Sequence, residues 1–139
     1  MLIPMRVDYG IRLVSFLADQ PKGVFSKAQD ISNEKHIPLQ YLLQISNRLI
    51  KKGLIFAQRG PSGGYTLNKD PEEISVGEIV KSLDLSVAPV ACINTPDGCE
   101  LSGNCSQQEM WKTIENLILD QLESVSIKSL NSQKINFNY

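Results

Sequence analysis

The chain has 139 residues, of which 42% are hydrophobic and 21% charged, the size and balance of one globular domain with at most a dimerisation arm. No apolar run approaches the roughly 20 residues needed to cross a bilayer, and no long apolar stretch follows a basic segment at the N-terminus. We therefore expect no membrane span and no secretory signal, and a cytoplasmic location. The net charge of −1 divides unevenly, because residues 1–69 carry ten basic and four acidic side chains, whereas residues 70–139 carry four and eleven. A basic front half is typical of a chain that meets a polyanion there.

Three helices are predicted in the first half of the chain. Apolar residues spaced by three and four predict a helix over 5–19. A second helix is predicted over 26–35, with Ser26 as its N-cap. A third is predicted over 38–52, with Pro38 as its first residue, where the missing N–H costs nothing.

A hairpin and a fourth helix follow. Residues 54–58 and 65–67 are strand-like and flank a turn-rich segment at 59–64, which predicts a hairpin with a long glycine-rich tip. Ser75 or its neighbour is predicted to cap a helix that runs to about Leu83.

The last third of the chain contains a loop and a long apolar stripe. After the loop, the spacing of apolar residues predicts one helix to about residue 130, roughly 30 Å of stripe at 1.5 Å per residue. A small domain buries so long a stripe with difficulty, so we predict pairing with a second copy; the alternative is packing back on its own domain. The predicted division is a DNA-binding domain at 1–83, a cysteine-bearing sensor loop at 84–105, a dimerisation helix at 106–131 and a flexible tail at 132–139.

The order of three helices and a hairpin is typical of a winged helix-turn-helix, a mainly α fold whose third helix enters the major groove of DNA. Glutamine and arginine side chains on that helix suit base edges, and its lysines suit phosphates. Gly63 and Gly64 permit close backbone approach, and Arg59 suits the minor groove. The alternatives are an ordinary solvated helix face and a plain turn. The residues predicted to bind DNA are Ser26, Lys27, Pro38, Gln40, Tyr41, Gln44, Arg48, Lys51, Arg59, Ser62, Gly63 and Gly64.

Three cysteines lie in the predicted loop. Cys92, Cys99 and Cys105 are separated by six and five residues. Three thiols so close together favour an iron–sulfur cluster, whose usual ligands are cysteines, with a fourth ligand from elsewhere. Other interpretations stay open: a disulfide with a spare thiol, which the cytosol disfavours, three unrelated apolar side chains, or zinc, although the usual paired C-x2-C spacing is absent.

Several segments together resemble a family of bacterial regulators, the Rrf-type winged-helix repressors, with their IscR-like and NsrR-like iron–sulfur members. The likeness covers about residues 5–130. It implies a homodimer on a roughly palindromic operator, with the cysteines holding a [2Fe–2S] or [4Fe–4S] cluster that controls DNA affinity. The segments are Arg-Gly-Pro-Ser-Gly-Gly-Tyr-Thr-Leu at 59–67, Asp-Pro at 70–71, Ile-Ser-Val-Gly-Glu-Ile at 74–79, Met-Arg-Val-Asp-Tyr-Gly-Ile-Arg at 5–12 and Pro-Leu-Gln-Tyr-Leu at 38–42.

The resemblance also bears on the fourth ligand. IscR-like members place a histidine shortly after the third cysteine, but residues 106–109 here are Ser-Gln-Gln-Glu. NsrR-like members take an aspartate in the first helix of the partner subunit, and Asp8 occupies the matching place. Asp8 is therefore the leading candidate; the alternative is that the helix dipole favours an acidic residue there. His36, the only histidine, is expected at the surface.

These observations predict a DNA-binding regulator whose cluster senses redox state, nitric oxide or iron–sulfur status. A regulator of the same fold without a cluster, controlled by thiol state or a partner protein, is the alternative. A redox enzyme or electron carrier is not expected, because the sequence has no dinucleotide-type glycine motif and no nucleophile–base pair around its single histidine.

Overall fold

The computed structural model describes residues 3–83 and 86–133, so most of the predicted flexible tail lies outside the described residues. This part of the chain is mainly helical with one small antiparallel hairpin, which confirms the predicted fold class. The elements in chain order are α1 (Met5–Ala18), α2 (Ala28–Lys35), α3 (Leu39–Lys51), β1 (Ile55–Gln58), β2 (Gly64–Leu67), α4 (Val76–Ser82), two 3-10 turns (Ala91–Ile93 and Pro96–Gly98), α5 (Gln108–Glu123) and α6 (Ile127–Asn131).

The core forms around α1, which contacts α2, α3, α4, α6 and β2. Leu13 and Val14 of α1 are fully buried, as the helical apolar spacing predicts. They pack in one cluster with side chains from nearly every other element. The largest fully buried partners are Ile31, Ile37, Leu42, Leu49, Leu54, Ile55, Ile74, Ile79, Leu83 and Ile127.

The start of α2 differs from the prediction, because Ser26 is not the N-cap. Lys27 holds that position without a side-chain cap, and the helix begins at Ala28. The Ser26 backbone pairs instead with Tyr65 of β2, with N–H···O distances of 2.9 and 2.8 Å in the two directions. This extended pairing ties the start of the helix-turn-helix to the hairpin.

Both ends of α3 follow from local sequence. Pro38 is the N-cap rather than the first helical residue, and its carbonyl accepts from the Leu42 N–H at 3.0 Å. At the other end Gly53 has φ of +77°, and the Leu54 N–H bonds back to the Leu49 carbonyl at 3.0 Å. This left-handed residue after the helix confirms the predicted glycine stop.

Helix α4 has the predicted cap at Ser75, whose Oγ accepts from the Glu78 N–H at 2.9 Å. We expect Ser75→Ala to lower the free energy of unfolding by about 1 kcal/mol, because an orphan helix donor loses its partner. Ser75→Asp should restore most of the loss. Urea denaturation of the three proteins checks this, and equal midpoints would contradict it.

The prediction of one long C-terminal helix is wrong, because α5 ends at Glu123 and the chain turns back onto its own domain. The Val76 N–H donates to the Val125 carbonyl and the Ile127 N–H to the Ile74 carbonyl, each at 2.8 Å. Val125 and Ile127 are buried in the core, so their apolar character belongs to that core and not to the stripe. Helix α5 is therefore shorter than the predicted helix, at 16 residues and roughly 24 Å for a rise of about 1.5 Å per residue.

Candidate DNA-binding surface and cysteine loop

The outer face of α3 is a continuous exposed stripe. Gln40, Leu43, Gln44, Asn47 and Lys51 follow the three-and-four spacing of one helix face, and all five are exposed. The opposite face is anchored in the core through Leu42, Ile45 and Leu49. The helix is therefore held rigidly while it presents amide and ammonium groups outward.

Arg48 is engaged within the protein, since its Nη1 donates to the Leu83 carbonyl at 3.0 Å. This bond links α3 to the end of α4. A groove of about 330 Å³ lies beside it, and Arg6 and Lys51 also line that groove. The sequence does not reveal the role of Arg6, because nothing local indicates that the start of α1 lies next to α3. Three cationic side chains around one groove suit a phosphate backbone.

Tyr41 and Asp8 belong to a second cluster at the start of α1. The Tyr41 ring is 45% exposed and its centroid lies 6.0 Å from that of Tyr9, which Arg12 covers at 5.4 Å. Asp8 accepts from Arg12 through both carboxylate oxygens, at 2.6 and 3.1 Å, and Arg12 also donates to the Lys35 carbonyl at 3.1 Å. The carboxylate predicted as a cluster ligand is thus ion-paired within its own helix.

The hairpin tip is built around its two glycines. A Cβ on Gly63 would lie 2.1 Å from the Gln58 carbonyl oxygen, and one on Gly64 would lie 2.3 Å from the Ser26 carbonyl oxygen. The fold itself therefore requires both glycines, whether or not they approach DNA. Arg59 and Ser62, which precede these glycines in the tip, are exposed. The Ser46 hydroxyl of α3 donates to the Tyr65 hydroxyl at 3.1 Å, which fixes the hairpin against α3.

The three cysteines are free thiols in the described structure. Cys92 lies in the first 3-10 turn and is half-buried, Cys99 is exposed, and Cys105 is half-buried ahead of α5. Within residues 3–83 and 86–133, no three His, Cys, Asp or Glu side chains come close enough together to hold a metal ion. Thiols are the donors that an iron–sulfur cluster takes, so the donor chemistry fits a cluster, but the three side chains do not converge on one point within the single chain.

The cysteine segment is anchored to the domain at its start. Val87 is buried against Val7 of α1 and Val80 of α4. Ile118 and Leu119 of α5 pack against the same small cluster. A displacement of the segment would therefore act on α1, α4 and α5 together.

Helix α5 packs on its own domain through Ile118, Leu119 and Leu122, but a second apolar stripe that includes Met110 and Leu117 has no cover among the described residues. None of its described side chains is buried, and Met110 and Leu117 are 49% and 63% exposed. An exposed apolar stripe beside the packed side of a helix is suited to pairing with another chain. Among the helices in the described ranges, none is both long and apolar enough to cross a bilayer.

Helices α2 and α3 form a pair in which the second helix exposes a polar face, and a hairpin adjoins them. This arrangement defines a winged helix-turn-helix. The family model described as "Rrf2: Iron-dependent Transcriptional regulator" matches residues 3–133. The chain therefore belongs to the Rrf2 family, as its motifs predicted, and the relatives found are named as transcriptional regulators, not enzymes.

Individual relatives agree with this assignment. The HTH-type transcriptional regulator IscR of Photorhabdus laumondii is 38% identical over 107 residues, which is 76% of this chain and 65% of that protein. The chain thus spans just under two thirds of the length of the curated relatives that it matches. CymR, the global cysteine regulator of B. subtilis, has the same fold, with a TM-score of 0.77, 24% identity and coverage of 96% of this chain and 98% of that one. The oxidized form of Staphylococcus aureus CymR gives a TM-score of 0.75 at 26% identity, covering 99% of this chain and 100% of that one.

Proposed function

We propose that this protein is a sequence-specific DNA-binding regulator of transcription whose DNA affinity is set by its cysteine loop. The observation that carries the DNA-binding part is the exposed polar stripe of α3, a helix that is fixed to the hairpin through Ser46 and Tyr65. A rigid helix that presents two glutamines, an asparagine and a lysine suits the major groove, where amide side chains pair with adenine.

We propose different roles in DNA binding for the residues of this surface. Gln40 and Gln44 face base edges, while Lys51 and Arg6 contact phosphates from the neighbouring groove. Arg59 at the hairpin tip enters the adjacent minor groove. Arg48 holds α3 against α4 through the Leu83 carbonyl, and it acts as a positioning residue.

We further propose that two copies pair through α5 and bind a palindromic operator. The support is the uncovered apolar face that includes Met110 and Leu117. A two-fold dimer presents two copies of α3 to two half-sites, so operator symmetry follows protein symmetry.

For control, the first form that we propose is an iron–sulfur cluster held by Cys92, Cys99 and Cys105 with Asp8 of the partner subunit. The donor chemistry and the iron dependence in the family description support it. When bound, such a cluster supplies a group that responds to oxygen, nitric oxide and electron supply. Since the three thiols do not come together within the described single chain and Asp8 is paired with Arg12, loading requires the loop to rearrange and that ion pair to open.

The second form is control by thiol state without a cluster. Free thiols that are exposed or half-buried favour it, because accessible thiols are open to oxidation. The similarity to the oxidized form of S. aureus CymR is consistent with it.

The link from the loop to DNA runs through α4 in either form. The loop begins beyond Leu83, the residue whose carbonyl holds Arg48 of α3, and Val87 packs beside Val80. Movement of the loop would shift the end of α4 and with it the angle of α3. Control of this kind requires different DNA affinities in the two states.

The test begins with anaerobic purification, followed by counts of iron and acid-labile sulfide. Duplexes are then selected from a random library, and affinity is measured over a range of salt for the loaded, the apo and the diamide-oxidised protein. We expect strongly salt-dependent binding, with iron present and affinity differing at least tenfold between loaded and apo states. The triple variant Cys92→Ser, Cys99→Ser, Cys105→Ser should lose both iron and the difference.

The outcomes separate the alternatives. Iron-free protein whose affinity changes on oxidation would support thiol control and overturn the cluster. Equal affinities in all three states would overturn control by the loop and leave DNA binding standing. A protein that selects no duplex from the library in any state would overturn the proposed function itself.

A further inference from the structure

Leu43 is an unusual residue in the centre of the exposed stripe of α3. Its side chain is 43% exposed, and it belongs to neither hydrophobic cluster of the described structure. Single exposed apolar residues are common on protein surfaces, so exposure alone means little. The position is what matters, because Gln40, Gln44 and Asn47 surround it on the same helix face.

The groups that base pairs display in the major groove define what Leu43 can contact there. Among the groups that base pairs display there, the apolar one is the 5-methyl group of thymine. A leucine side chain neither donates nor accepts a hydrogen bond, so a polar base edge that loses water against it gains no hydrogen bond in return. The adjacent glutamines suit adenine, the base that pairs with thymine.

Leu43 also lies near the N-terminal end of α3. It is the fifth residue of α3, within the N-terminal turns that approach base edges most closely in helix-turn-helix proteins. The core contacts of Leu42 and Ile45 on the opposite face keep this part of the helix from rotating.

We propose that Leu43 is a specificity-determining residue that reads the 5-methyl group of a thymine in each operator half-site, with Gln40 and Gln44 completing an A·T-selective surface. The inference rests on the proposed function, since it requires α3 to enter the major groove. It adds a particular residue, a particular chemical group and a preferred base pair.

The experiment replaces each thymine of the selected operator in turn by deoxyuridine, which removes the methyl group and leaves base pairing intact. We expect one thymine in each half-site at which this change weakens binding of the unaltered protein about fourfold. This factor corresponds to the transfer free energy of one buried methylene group. With Leu43→Ala and Leu43→Gln, the same replacement should have no effect. Asn47→Ala, on the same face, is the matched control and should keep the sensitivity to uracil.

Thermal unfolding of each variant checks its fold, and Leu43→Gln keeps a side chain of similar length and helix propensity if alanine proves disruptive. Uracil sensitivity that persists in both Leu43 variants, or that no thymine shows with the unaltered protein, would overturn the inference while DNA binding stands. Absence of DNA binding in the unaltered protein would overturn the proposed function instead, so the two failures are distinct.

Discussion

Gly63→Ala should distort the hairpin tip and weaken DNA binding at least tenfold. The added Cβ would lie 2.1 Å from the Gln58 carbonyl oxygen and 2.8 Å from the Arg59 carbonyl carbon, so backbone must move to accommodate it. Overpacking of this kind costs about 1–3 kcal/mol. The strand end that shifts carries Arg59, the side chain proposed for the minor groove. Affinity for the selected operator, measured by fluorescence anisotropy, checks the effect.

Gly23→Ala is the matched control for this prediction. Gly23 has φ of +81°, so alanine there is strained, but apart from Gly23 itself and its two chain neighbours no residue has an atom within 4 Å of the added Cβ. It lies between α1 and α2, where it lines a groove with Thr66 and Leu67 at the end of β2 opposite the tip. We expect a loss of stability of about 1 kcal/mol with unchanged DNA affinity. A Gly63→Ala protein that binds DNA as well as the Gly23→Ala protein would contradict the proposed role of the tip.

Local signals predicted most of the fold, because the elements that they describe are fixed by nearby residues. The cap at Ser75 and the stop at Gly53 depend on a few neighbouring atoms, and both lie where the sequence indicated. The break after α5 was not predictable in this way. It depends on backbone pairing of Val125 and Ile127 with residues 74–76, about fifty positions earlier in the chain.

In the candidate site, too, features set by local sequence could be predicted and features set by tertiary contacts could not. The exposed stripe of α3 could be predicted from helical spacing, which also places Gln40 and Gln44 on one face. Neither the engagement of Arg48 by the Leu83 carbonyl nor the approach of Arg6 to α3 could, since both are tertiary contacts. Asp8 shows that a residue type at the expected place does not reveal its partner, which here is Arg12.

Leu117→Glu should convert the protein to a monomer and weaken binding to a two-half-site operator by a factor of about 100 or more. Leu117 is 63% exposed on α5, so a charge there leaves the core of its own domain untouched. If the apolar face of α5 pairs with a second copy, the same change buries two unpaired carboxylates at a two-fold interface, which is strongly unfavourable. Affinity for a single half-site should stay unchanged, because α3 and the hairpin are unaltered.

Sedimentation equilibrium and binding to whole and half operators check this prediction. Asn116→Glu adds the same charge at the adjacent exposed position, about 100° around the helix and off the apolar stripe, and should leave the dimer intact. A Leu117→Glu protein with the mass of the unaltered protein would place the dimer contact elsewhere. An unaltered protein that is monomeric yet binds a palindrome tightly would show that pairing occurs on DNA, and α5 would then contribute cooperativity between half-sites and not a preformed dimer.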